Sequence, residues 1–126
     1  MKKVIFTFVV ALLFVGASSV YAQNSNAKVV KLSQVEGKFT KEKLTLKPGE
    51  YIFEVKNKNV DRALGLVVAP ANEEGKAGAH IKEGYLAKTI EKGETSRSQV
   101  VTLEPGIYKY FCPLNPTPEY TIEVKE

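Results

Sequence analysis

An all-β sandwich is the fold this sequence predicts, and three observations predict it. Apolar residues recur at every second position in short runs, Gly and Pro divide those runs, and helical periodicity is nearly absent. Period two over such short stretches means strands with one buried face, and strands of this length and spacing describe a sandwich or barrel.

The N-terminal residues stand apart from that rhythm. Lys2 and Lys3 lead into an apolar run from Val4 to Val15, then the small residues Gly16-Ala17-Ser18-Ser19 and the sequence Val20-Tyr21-Ala22. This is the layout of a secretory signal peptide over residues 1–22, with cleavage expected after Ala22, and the run is shorter than the roughly 20 apolar residues a spanning helix needs. The expectation is a periplasmic or secreted protein with no membrane span after processing. A lipid anchor at the cleavage point would require a cysteine there, and the single cysteine is Cys112. Cleavage would leave 104 residues at a net charge of +2, one domain with one modest core. Lys and Glu are interspersed, as in Lys41-Glu42-Lys43, which describes a solvated surface and sets nucleic-acid binding aside. A lone cysteine also excludes an internal disulfide.

Residues 23–28 read as a flexible lead-in and residues 29–126 as the domain. Along that domain the alternating positions are Val30 and Leu32; Leu44 and Leu46; Tyr51, Phe53 and Val55; Tyr108, Tyr110 and Cys112; Tyr120, Ile122 and Val124. Turn residues bound the runs at Lys47-Pro48-Gly49-Glu50, Lys92-Gly93-Glu94 and Glu104-Pro105-Gly106. Between Ala71 and Gly84 the rhythm breaks into a segment rich in Ala, Gly, Glu and Lys that holds the lone His80. It reads as a surface excursion with one short helical turn, serving as a connector or as a partner-contacting loop.

An internal echo sharpens this picture. Leu44-Thr-Leu-Lys-Pro-Gly-Glu-Tyr-Ile-Phe-Glu-Val55 lies over Val101-Thr-Leu-Glu-Pro-Gly-Ile-Tyr-Lys-Tyr-Phe-Cys112, each a strand, a Pro-Gly turn and a strand with alternating aromatics. Two such units suit a two-sheet sandwich.

The segment Gly106-Ile-Tyr-Lys-Tyr-Phe-Cys112-Pro-Leu-Asn115-Pro-Thr-Pro118 resembles the C-terminal corner of the cupredoxins, the plastocyanin and amicyanin family. The resemblance implies a Greek-key β-sandwich of seven or eight strands with the excursion between two of them. It further implies a thiolate at Cys112, a His three residues on, an axial Met three later, and another His in a stretch similar to Asn59-Val-Asp-Arg62-Ala-Leu-Gly65-Leu-Val-Val68. In this chain the later His position is Asn115, the Met position is Pro118 and the earlier His position is Arg62. A blue-copper centre sets two imidazoles and a thiolate in a plane with a weak axial donor, and the processed chain holds one His and no Met. The donor count excludes such a centre within one chain.

The retained residues carry alternatives. Cys112 is either a small buried hydrophobe or a metal-binding or redox thiol. Arg62 either lowers the Cys112 pKa as a neighbouring cation or is an exposed side chain paired with Asp61 or Glu119. Asn115 can replace an imidazole as a hydrogen-bonder holding the loop, which Pro113, Pro116 and Pro118 stiffen. His80 is either a solvated surface residue or a second ligand beside Cys112 for Cu(I). No enzyme signature is present. The leading expectation is therefore an exported binding or structural module without type 1 copper and without a cofactor, meeting a protein partner in the cell envelope. The alternatives are a copper-binding electron carrier using Cys112 and a redox-reactive thiol protein.

Overall fold

The computed structural model describes residues 26–126; the signal peptide and cleavage site expected from sequence, with the first residues of the lead-in, lie outside them. Eight strands follow in order: β1 (Lys28–Val35), β2 (Lys38–Phe39), β3 (Lys43–Leu46), β4 (Gly49–Asn57), β5 (Val67–Pro70), β6 (Thr95–Leu103), β7 (Gly106–Phe111) and β8 (Tyr120–Val124). They form two four-stranded sheets, ordered β2-β1-β4-β6 and β3-β8-β7-β5. Two pairings are parallel, β1 with β4 and β3 with β8, and the rest are antiparallel. Among the described residues no helix is long and apolar enough to cross a membrane.

The alternation seen in sequence is the inward face of these strands. Val30 and Leu32 of β1, Phe53 and Val55 of β4, Val101 and Leu103 of β6, Leu44 of β3, Ile122 and Val124 of β8 and Tyr110 of β7 are all buried between the sheets. Strand β6 keeps to that face by a bulge. The partners step from Ile52↔Val100 to Glu54↔Arg97, so Ser98 and Gln99 together oppose Phe53. Inward positions accordingly pass from Ser96 and Ser98 to Val101 and Leu103. The Phe53 N–H donates to Ser98 Oγ at 2.9 Å, which satisfies a group that the bulge would otherwise strand.

Both copies of the echo are corners that carry the chain from one sheet to the other, β3 to β4 and β6 to β7. Gly49 and Gly106 take φ of 156° and 154°, a region closed to most L side chains. In each corner a tyrosine hydroxyl donates back across the turn, Tyr51 to the Lys47 carbonyl at 2.6 Å and Tyr108 to the Glu104 carbonyl at 3.0 Å.

The excursion, together with the residues that follow it to Ala87, is a clasp as well as a connector. Two short 3-10 turns, Ala77–Ala79 and Lys82–Gly84, lie within it. The Ile81 N–H donates to Val68 O on edge strand β5 at 2.8 Å, and the Ala87 N–H donates to Arg97 O on edge strand β6 at 2.9 Å. Gly84 is buried, and a Cβ built on it would lie 3.3 Å from Val68 and 3.9 Å from Val101. The segment thus binds the open edges of both sheets along one side of the sandwich.

Candidate functional site

Three inward alternations change character at the same end of the molecule. β1 runs Val30, Leu32, Gln34; β4 runs Phe53, Val55, Asn57; β7 and the residue after it run Tyr110, Cys112. Gln34 and Asn57 are register partners on adjacent strands, and Gln34, Asn57 and Cys112 are all fully buried. A buried polar group costs stability unless it is hydrogen-bonded, so this end of the core must be internally satisfied. It is: among the described residues no buried side-chain nitrogen or oxygen lacks a partner.

Asn115 is the centre of that satisfaction. Its Nδ2 donates to Gln34 Oε1 at 3.0 Å and to the Val35 carbonyl at 2.9 Å; its Oδ1 accepts from the Gly37 N–H at 2.7 Å and from Arg62 Nη2 at 3.2 Å. A carboxamide offers two donors and two lone pairs, and all four are used. Gln34 then passes the connection on, its Nε2 donating to the Gly65 carbonyl at 2.8 Å. The Gly65 N–H donates to Cys112 Sγ at 3.3 Å. On the other side the Cys112 N–H donates to Thr117 Oγ1 at 3.0 Å, which closes the loop carrying Asn115 back onto the end of β7.

Arg62 faces outward from this arrangement. Its Nη2 meets Glu36 Oε2 at 2.7 Å and its Nε donates to the Leu114 carbonyl at 3.1 Å. The partner expected from sequence was Asp61 or Glu119; the structure replaces both with Glu36, because the β1–β2 turn brings that residue to the corner and Asp61 is taken by Lys92 at 3.2 Å. The backbone group at the sulfur belongs to Gly65, three residues beyond Arg62, and the fully buried Leu64 adjoins that peptide. Pro118 is exposed on the loop. Asn57 does for the segment before Leu64 what Asn115 does for the loop. Its Nδ2 reaches the carbonyls of Val60, Arg62 and Ile90 with two hydrogens, one of them shared, and its Oδ1 accepts the Val60 N–H.

His80 lies elsewhere. Its ring packs edge-on against Phe111 at 6.1 Å, and Phe111 and Cys112 point to opposite faces of one extended segment, so the structure does not bring His80 and the thiol together. Its Nε2 donates to the Glu74 carbonyl, which can only accept, at 2.9 Å, and its Nδ1 lies 2.9 Å from the Tyr85 hydroxyl. Tyr85, Gly65 and Pro113 share the wall of a cavity of about 200 Å³ with Leu66 and Leu86. The clasp therefore reaches the flank of the corner through Tyr85.

A type 1 copper ion needs two imidazoles and a thiolate, and the residues at this corner are a thiol, a carboxamide, an outward guanidinium and a proline. They do not fit that ion. Among the described residues no group of three or more His, Cys, Asp or Glu side chains gathers at one point.

Residues 5–124 match the family model described as a cupredoxin-like domain. Among solved structures, the chain is similar to auracyanin A of Chloroflexus aurantiacus, described as a "blue" copper protein, with a TM-score of 0.65 at 16% identity over 79% of this chain and 100% of that one. Auracyanin of Roseiflexus castenholzii aligns at 0.60 and 14% identity over 79% and 98%, and an azurin of Methylomonas sp. strain J at 0.59 and 14% over 79% and 98%. Likeness at such identity is likeness of fold. No curated protein sequence matches the chain.

Proposed function

Since the chain belongs to the cupredoxin-like family, we propose that it serves as a binding or structural module of the cell envelope, without a type 1 copper centre and without catalytic activity. One observation carries this reading: the position where the family places an imidazole holds Asn115, whose four hydrogen-bonding valences are all spent inside the protein. An amide so engaged has no lone pair left for a metal. Export to the periplasm or beyond is argued from the signal-peptide layout of residues 1–22. The partner is a protein of the same compartment. Loading the purified chain with Cu(II) under oxidising conditions tests the reading. The expected result is no intense visible thiolate-to-copper band, and a band at one copper per chain refutes it.

Cys112 supports a second reading, because it retains the family's thiolate position and heads the corner loop. There the chain would bind copper through that sulfur alone among the family's ligands. Titration with Cu(I) separates the two readings: affinity that vanishes in Cys112→Ser favours the second, and affinity that persists ends it. The third reading, a thiol activated by Arg62, loses support from the engagement of that guanidinium with Glu36, Leu114 and Asn115.

A further inference from the structure

The mismatch between the corner and a copper ion has a positive content. We infer that Asn115 is a latch: it makes this end of the sandwich close without any metal and, through Gln34 and the Gly65 peptide, keeps the Cys112 thiol sealed. The inference rests on the metal-free reading above and deepens it by assigning the residue responsible.

The geometry supports each step. Three segments distant in sequence converge on one carboxamide: the end of β1 and the turn after it through Val35 and Gly37, the segment before β5 through Arg62, and the loop after β7 that carries Asn115 itself. Gln34 extends the tie to Gly65, and the Gly65 N–H rests on Sγ. Every link is buried or partly buried, where an unmet polar group is costly and a satisfied network holds its members in one arrangement. An imidazole could not take this role, having two ring nitrogens in place of four valences. Asparagine is therefore a replacement with a use of its own. Cys112 has no exposed surface, so a reagent reaches it only when the structure opens.

The test compares iodoacetamide labelling of Cys112 in the wild-type chain, in Asn115→Ala, and in Leu103→Ala. Leu103 is buried on β6 opposite Gly49, at the far end of the sandwich. Labelling is read at denaturant concentrations that give the two variants equal populations of unfolded chain. A latch predicts that Asn115→Ala labels about tenfold or more faster than Leu103→Ala at that matched stability, because the corner opens locally. Equal rates would mean that the thiol is reached only by global unfolding and would overturn the inference. Should Asn115→Ala fail to fold, Gln34→Met is the substitute: it keeps the side chain's length, removes both the acceptor for Asn115 and the donor to Gly65, and is expected to accelerate labelling in the same comparison, equal rates again overturning the inference. A chelator or added Cu(I) is expected to leave the wild-type labelling rate unchanged. A visible copper–thiolate band defeats the functional reading, whereas unaccelerated labelling without such a band defeats the latch alone.

Discussion

Tyr51 and Tyr108 make the same hydrogen bond at equivalent places in two corners, each hydroxyl donating to the carbonyl four residues earlier. Tyr51 is buried and its bond is short, while the Tyr108 bond is exposed. Replacing Tyr51 with Phe should lower stability by about 1 kcal/mol, the net worth of one intramolecular hydrogen bond, and Tyr108→Phe should cost less because water can replace the lost partner. Urea unfolding of the two variants checks this. A larger loss from Tyr108→Phe would contradict the assignment.

Asn57→Ala should be among the most damaging polar truncations. It strips the donors from the Val60 and Arg62 carbonyls and the acceptor from the Val60 N–H, most of them buried, while the Ile90 carbonyl keeps the Leu64 N–H. A loss of about 2–4 kcal/mol is expected from several buried groups left unpaired. Hydrogen exchange should also quicken between residues 58 and 64. Unchanged protection there would argue that Asn57 does not organise the segment.

Tyr110 gives the protein an alkaline limit. Burial first, then the neighbouring Tyr120 and Glu42, push its hydroxyl up from 10.0 to about 12. Its hydrogen bond to the Lys41 carbonyl at 2.8 Å uses the protonated form. The unfolded chain gives up this proton near pH 10 and the folded chain holds it to about 12. The contribution is thus fully present below pH 10 and is lost as pH rises toward 12, some 2–3 kcal/mol in all at 1.36 kcal/mol per unit. Tyr110→Phe should be less stable at neutral pH, and its stability should fall less steeply over that window. Parallel slopes for the two proteins would remove Tyr110 from the account.

Gly84→Ala should strain the clasp, since the new methyl would sit 3.3 Å from both Cβ and Cγ2 of Val68, atoms fixed by β5. Overpacking of this kind costs roughly 1–3 kcal/mol. Thermal unfolding measures it, and a neutral substitution would mean that the segment yields and does not bind the two edges firmly.

Much of the architecture was legible because burial in a strand repeats every second residue. The corners at Pro48-Gly49 and Pro105-Gly106 and the runs ending at Val55, Cys112 and Val124 are where the residue pattern put them. β2 was not, because Lys38-Phe39 is too short to show a period, nor was the bulge, because Ser98 and Gln99 look like ordinary strand residues. β1 also takes in Lys28, which the pattern left in the lead-in. At the corner, Cys112 and Asn115 could be picked out by spacing, but Gln34 lies 81 residues from Asn115 and nothing local marks their pairing. One signal did exist: Gln34 and Asn57 continue the inward parity of Val30-Leu32 and Phe53-Val55, so a polar residue on an apolar face pointed to a buried network. The clasp had no such signal, since Gly84 among Lys, Glu and Ala resembles any exposed connector.

The position of β8 bears on how the chain can be made. Residues 120–124 form an interior strand, flanked by β7 on one side and by β3, some eighty residues earlier, on the other. Without β8, β3 has no neighbour in its sheet and one edge of β7 is unpaired. Closure of that sheet therefore waits on a pairing between segments some eighty residues apart, a non-local contact of the kind that slows folding.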